Sequence, residues 1–368
     1  MLYRQYTENK TISGALAWST SKQTVTLRIP QSRRRLEGIM LEAQFSTGTG
    51  TQTATIDCYM NLFSEIRLRV NDVLGSRNLI QCPGSQLIQF NRDQGNAIDR
   101  HTLAGYKAPT GGKNYRIFVP IWIRHPAVAE PVGNLLALPL DQLNEDPILE
   151  LDIAPQTDCS TFTTTQGAIV MIRTTLIYRE IDPGVKYMPT ELVTSKWTLP
   201  GSGRQSFELS NGGFLSSVTL DNYTTFPTTR AALWASFDHE LQVDSGSTAL
   251  RRYFPDILDS MNDIVTGNQM FGGSGAAWAS PSALVDITGA TATIGGSSIG
   301  HSFIDFLFDD SFGGAVSPGS MLNCNTIPLG GDKIKITGTN FSAAGTIAVT
   351  THKFLTRSTE ELKALIGA

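Results

Sequence analysis

Residues Arg116 to Ile153 read RIFVPIWIRHPAVAEPVGNLLALPLDQLNEDPILELDI. An apolar run rich in β-branched residues comes first, followed by a loop broken by Pro126 and Pro131. The short element Leu136-Ala137-Leu138-Pro139-Leu140 follows, then a polar turn, then the alternating strand Ile148 to Ile153. Residues His301 to Gly338, HSFIDFLFDDSFGGAVSPGSMLNCNTIPLGGDKIKITG, give the same order. There the short element is Ile327-Pro328-Leu329 and the alternating strand is Lys333 to Thr337. One β-domain written twice explains both stretches.

The neighbouring segments repeat as well. Thr24 to Ile29 alternates and stops at Pro30, as a half-buried strand does; Phe207 to Leu209 stands in its place later. Gly38 to Phe45 (GIMLEAQF) matches Gly213 to Leu220 (GFLSSVTL), and Phe63 to Val70 (FSEIRLRV) matches Phe237 to Val243 (FDHELQV). Pro83 to Asp93 has helical spacing with Pro at its start, and Tyr253 to Met261 is its partner. Thr53 to Cys58 reads as a further strand. Gln94 to Asn114 and Asp263 to Gly300 are long Gly-rich loops, and Gly167 to Leu176 matches Gly345 to Leu355. A near-constant offset is the mark of a duplicated domain. Each half then holds about eight strands and a short helix. Period-2 strands bury one face each, so two sheets must stack. The expected fold is all-β: two consecutive eight-stranded jelly-roll β-sandwiches with short helices. The boundaries expected are a polar N-terminal arm at 1–22, jelly rolls at 23–185 and 186–358, and a helical tail at 359–368, capped at Ser358.

Composition agrees. The 368-residue chain is 40% hydrophobic and only 17% charged, against about 25% in typical soluble proteins. Its net charge of −4 has no basic half, which argues against bulk electrostatic binding of nucleic acid. No run approaches the roughly 20 apolar residues of a membrane-spanning helix, and no leader of secretory type opens the sequence, so synthesis in the cytoplasm is expected. Cys58, Cys82, Cys159 and Cys324 form no CxxC pair and read as free thiols in or near cores.

Catalytic patterns are missing. Gly111-Gly112-Lys113 runs into Asn114 and is not a phosphate loop, there is no GxSxG, and the five histidines have no ligand spacing. Asp305, Asp309 and Asp310 surround Phe306-Leu307-Phe308. They suit a structural calcium ion, or else a strand end with solvated acids. Arg33, Arg34 and Arg35 form either a solvated turn or a contact with acidic lipid heads, nucleic acid or a neighbouring subunit. The reading is of a protein that is not an enzyme, with no catalytic or cofactor-binding residues.

The chain resembles the double jelly-roll major capsid proteins of tailless icosahedral viruses with an internal membrane, of the smaller, bacteriophage-like kind. The residues that carry this are Phe118 to Arg124, Leu136 to Leu140 and Ile148 to Ile153, repeated as Phe303 to Phe308, Ile327 to Leu329 and Lys333 to Thr337. The resemblance implies a homotrimer whose six jelly rolls form a pseudo-hexameric capsomer. It implies partners in neighbouring capsomers, minor and penton capsid proteins and internal membrane lipids, with no sequence-specific nucleic acid. It places the protein in a virion capsid assembled in the host cytoplasm, with Arg33 to Arg35 near the inner face and the long loops as tower or trimer-contact loops. Two other readings compete: a carbohydrate-binding or adhesin sandwich, with Trp278 and Phe271 as loop aromatics, and a peptide-N-glycosidase-like double jelly-roll amidase, which needs a cluster of acids.

Overall fold

The computed structural model describes residues 5–18, 21–46, 52–54, 58–72, 74–93, 114–123, 135–162, 167–180, 186–230, 233–234, 240–245, 248–254, 301–306, 322–324, 333–356 and 360. Most of both long loops, the segment 255–261 expected to be helical, and the C-terminal helix apart from Glu360 lie outside these residues. The chain divides into two compact units between Val193 and Thr194, eight residues beyond the boundary at 185/186 expected from sequence.

Among the described residues, eight principal strands build the first unit: β1 (Gln5–Ser13), β2 (Gln23–Arg28), β3 (Arg35–Ser46), β4 (Phe63–Asp72), β5 (Gly75–Cys82), β6 (Asn114–Trp122), β7 (Ile148–Ile153) and β8 (Ala168–Arg179). They hydrogen-bond in two sets of four, in the orders β1-β8-β3-β6 and β5-β4-β7-β2. Every ladder inside these sets is antiparallel. Helix α1 (Gly84–Asp93) joins β5 to β6, and its Asn91 donates Nδ2–H to the Pro120 carbonyl at 2.7 Å. The inward positions are apolar and closed to solvent: Ile39 and Leu41 on β3, Val119 on β6, Leu68 on β4, Leu149 and Leu151 on β7 are at most 1% exposed. Burial of such side chains contributes about 1.5–3 kcal/mol each.

The same order recurs strand for strand in the rest of the chain: β9 (Thr190–Leu199), whose first four residues belong to the first unit, β10 (Gly203–Glu208), β11 (Phe214–Thr225), β12 (Leu241–Ser245), β13 (Thr248–Tyr253), β14 (His301–Asp305), β15 (Ile334–Phe341) and β16 (Gly345–Phe354). The orders are β9-β16-β11-β14 and β13-β12-β15-β10. Leu215, Val218 and Leu220 of β11 share one core with Leu241, Val243 and Ile336 of the other sheet. Trp197 meets Phe341 edge-on there, with ring centroids 5.3 Å apart.

Fine details repeat too. Strands β3 and β11 each carry a bulge near the start, at Glu37 and Ser216. Arg35-Leu36 pairs with the bridge Leu138-Pro139, and Phe214-Leu215 pairs with Leu322-Asn323. Leu36 therefore corresponds to Leu215, Gly38 to Ser217 and Met40 to Thr219. This changes one expectation: the structural counterpart of the Leu138-Pro139 element is Leu322-Asn323, while Ile327 to Leu329 lies outside the described residues.

Other corrections concern the strands. Residues 5–13, expected within a polar N-terminal arm outside the jelly roll, form β1 and pair with β8 along their length. Gly75–Cys82, Thr190–Leu199 and Thr248–Tyr253 are strands that the sequence reading passed over. Of the expected strand 53–58, Thr53 and Ala54 belong to the short strand Gln52–Ala54 paired with Ser160–Phe162, a 3-10 turn begins at Cys58, and 55–57 lie outside the described residues.

Candidate functional site

Among the described residues, no three His, Cys, Asp or Glu side chains group so as to hold a metal ion. Asp305 ends β14 opposite Ser217 and is half-buried. Asp309 and Asp310 lie outside the described residues. Cys82, Cys159 and Cys324 are buried thiols and form no disulfide. Burial pushes the Cys82 and Cys324 thiols up, for Cys82 with help from Glu65, which leaves them protonated and unreactive. No helix among the described residues is long and apolar enough to cross a membrane.

One pair has the look of catalysis. Ser216 Oγ lies 2.6 Å from His352 Nδ1, and the same hydroxyl contacts the His352 carbonyl at 3.0 Å. Both residues are buried, Ser216 wholly so, and burial holds the imidazole down to about 4. Ser216 is the bulge residue of β11. Its hydroxyl stitches the bulge to β16 and faces no solvent from which a substrate could approach.

The three arginines part company. Arg35 is buried and donates Nη1–H to the Lys186 carbonyl at 3.3 Å. Its guanidinium pKa is pulled down by burial, against the pull of Asp141 and Tyr187. Arg34 lies over the Tyr178 ring, 5.9 Å from its centroid. Arg33 is exposed. The run therefore does not present one three-residue basic patch, because Arg35 already belongs to the strand and points into the protein.

The strongest electrostatics sit on the outward faces of the first unit's sheets. Glu42 on β3, 4% exposed, accepts from Arg116 Nε of β6 at 2.9 Å, from Gln44 Nε2 at 2.8 Å and from Arg173 of β8. Asp152 on β7, 1% exposed, accepts from Thr24 Oγ1 of β2 at 2.6 Å and Lys22 Nζ at 2.6 Å, and from Arg67 Nη2 of β4 at 3.0 Å. Arg67 also meets Glu65 and Glu150. Burial alone would raise both carboxyls, but their donors outweigh it and hold each below the usual carboxylate range. In each sheet a carboxylate on an inner strand is held by partners from both flanking strands. These clamps resist lateral shear of the sheet. The sequence reading missed them, although a signal exists: acids alternating with apolar residues within a strand, LEAQF and LELDI.

The arrangement is thus two sandwiches, the first with clamped sheets, and no reactive cluster among the described residues. No family model and no curated protein sequence matches the chain. Solved structures do match, over nearly its full length. The STIV major capsid protein aligns with a TM-score of 0.63 at 12% identity, over 98% of this chain and 100% of that one. The quasi-atomic PBCV-1 virus capsid gives 0.61 at 9% identity, over 96% and 94%. The major capsid protein of bacteriophage PM2 gives 0.55 at 13% identity, over 96% and 99%. At these identities the likeness is one of fold. The chain has the double jelly-roll fold of viral major capsid proteins.

Proposed function

We propose that this protein is a major capsid protein that trimerises into pseudo-hexameric capsomers and builds an icosahedral shell over an internal lipid membrane. The observation that carries the reading is the strand-for-strand duplication of an eight-stranded sandwich, in a chain that covers 94–100% of three capsid chains. Three such chains supply six equivalent sandwiches, enough for a hexagonal tile. The clamped carboxylates suit a tile under lateral load. The low charge density limits repulsion between like subunits, and many modest contacts closing a shell give a stable particle. Its partners are then further copies, neighbouring capsomers, minor and penton proteins and the membrane, with exposed Arg33 and the neighbouring Arg34 as inner-face contacts. Virion assembly in the host cytoplasm belongs to the same reading.

Solution mass combined with particle imaging tests it. A stable trimer with a hexagonal outline is expected. A monomer that hydrolyses a glycan amide would overturn the reading.

A further inference from the structure

Strand β5 is the last of its four-stranded sheet, yet its outer edge is occupied. Ile80 and Gln81 pair in parallel with Leu192 and Val193, the leading residues of β9, which opens the second repeat. The equivalent of β5 is β13. Both carry a bulge against their inner neighbour. Leu79 falls between the pairs Leu68–Ile80 and Arg69–Asn78, and Leu250 falls between Val243–Arg251 and Asp244–Ala249. Leu79 thus corresponds to Leu250, and Ile80-Gln81 to Arg251-Arg252. Leu79 is 1% exposed, whereas Leu250 is 43% exposed and Phe254, just beyond the strand, is 55% exposed. Among the described residues no strand lies beyond β13. An edge with exposed apolar side chains invites another strand.

The strand equivalent to β9 is β1. Thr175 and Thr350 correspond, since they face Met40 and Thr219. Thr175 Oγ1 meets Asn9 Oδ1 at 2.6 Å, and Thr350 Oγ1 meets Thr194 Oγ1 at 2.8 Å. Asn9 therefore corresponds to Thr194, and Thr7-Glu8 to Leu192-Val193. Thr7 and Glu8 are exposed, and β1 is itself the outer strand of its sheet. These 368 residues hold two such repeats, and the opening strand of neither lies beside β13 among the described residues.

We propose that the outer edge of β13 takes up the leading end of β1 from a second copy of this chain, in parallel, at the register of Ile80-Gln81 with Leu192-Val193. Strand addition of this kind satisfies the main-chain groups of both edges. The Gln81–Val193 pair becomes Arg252 beside Glu8, which joins opposite charges on side chains 65% and 48% exposed. Donor edge and acceptor edge differ, so the contact is head-to-tail and closes into a ring when the rotation allows. The inference rests on the capsid reading only in requiring that copies associate.

A Glu8→Cys/Arg252→Cys double variant of the full chain tests it. Neighbouring strands stand about 4.8 Å apart, within the roughly 4.4–6.8 Å Cα separation that a disulfide accepts. After oxidation of the native assembly, the denatured, non-reduced sample should run as covalent multimers. Mixed isotope-labelled chains should place each link between two copies, and either single variant should give no ladder of this kind. In parallel, Leu250→Asp should raise the concentration needed for assembly on the order of tenfold, with unfolding of the isolated chain unchanged. An assembled oligomer with no link, or a link within one chain, overturns the edge pairing and leaves the capsid reading standing; so does normal assembly of Leu250→Asp. A chain that stays monomeric by native mass overturns both.

Discussion

Gly38 on β3 stands directly opposite Trp122 on β6, and a methyl group on Gly38 would lie 2.8 Å from the indole Cε3 and 3.1 Å from the Ile121 carbonyl. The equivalent pair in the second repeat is Ser217 and Asp305. A side chain is accommodated where the facing residue is small, and glycine is kept where an indole fills the space. Gly38→Ala should therefore destabilise the first unit by about 1–3 kcal/mol, as overpacking does. Adding Trp122→Leu should recover part of that loss, giving a clear coupling term in a double-mutant cycle measured by urea unfolding. Purely additive effects would show that the indole is not the obstacle.

Asp152 gives a pH signature. Its folded pKa is depressed, so its stabilisation is fully present above the ordinary carboxylate value of about 3.9 and fades as pH falls through the lower folded value. Asp152→Asn should cost about 1.5–3 kcal/mol at neutral pH, the usual range for a hydrogen bond to a charged group. The gap between the two proteins should hold down to about pH 4 and then close. Denaturant midpoints across pH 2 to 7 check this. A gap that widens in acid would contradict the assignment.

His352 acts in the next window up. Burial holds its imidazole at about 4 against an ordinary 6.5. The native state keeps it neutral while the unfolded chain takes up a proton, so stability is full above pH 6.5 and declines as pH falls toward 4. That difference corresponds to roughly 3 kcal/mol at the acid end. His352→Gln should flatten the second unit's stability profile across that window, measured as the pH dependence of its unfolding midpoint. An unchanged slope would mean another group titrates there.

The thiols should be silent. Cys82, Cys159 and Cys324 are buried, with burial raising the pKa of Cys82 and Cys324. In the native protein an alkylating reagent should modify none of these three, and in denaturant it should modify all of them. Intact mass with peptide mapping checks each site. Rapid native labelling of Cys82 would show that β5 opens readily.

The strands visible in the sequence were those with an apolar inward face: Leu36 to Phe45, Phe63 to Val70, Ile148 to Ile153 and their partners. Those passed over, β1, β5, β9 and β13, each end a set of four strands, although β5 and β9 pair with each other over two residues. An outer strand can be polar on both faces, as QYTENKTIS is, and the bulges at Leu79 and Leu250 break the period-2 pattern in β5 and β13. The short Leu138-Pro139 bridge is legible as an element, but a Pro-Leu spelling does not identify its counterpart. What the fold preserves is a position against β3 and β11, and Leu322-Asn323 occupies it with other residues.

Candidate residues divide in the same way. Chain order and hydrophobic period by themselves determined that this protein is a sandwich built twice and that it carries no recognisable catalytic motif, because alternation of apolar residues is a local property of each strand. Which arginine of three is buried, which carboxylates clamp the sheets, and which of two equivalent leucines is covered were decided only by the tertiary structure. Each depends on which distant strand lies alongside: Lys186 reaches Arg35, Lys22 and Arg67 reach Asp152, and β9 lies beside β5 with no counterpart beside β13 among the described residues.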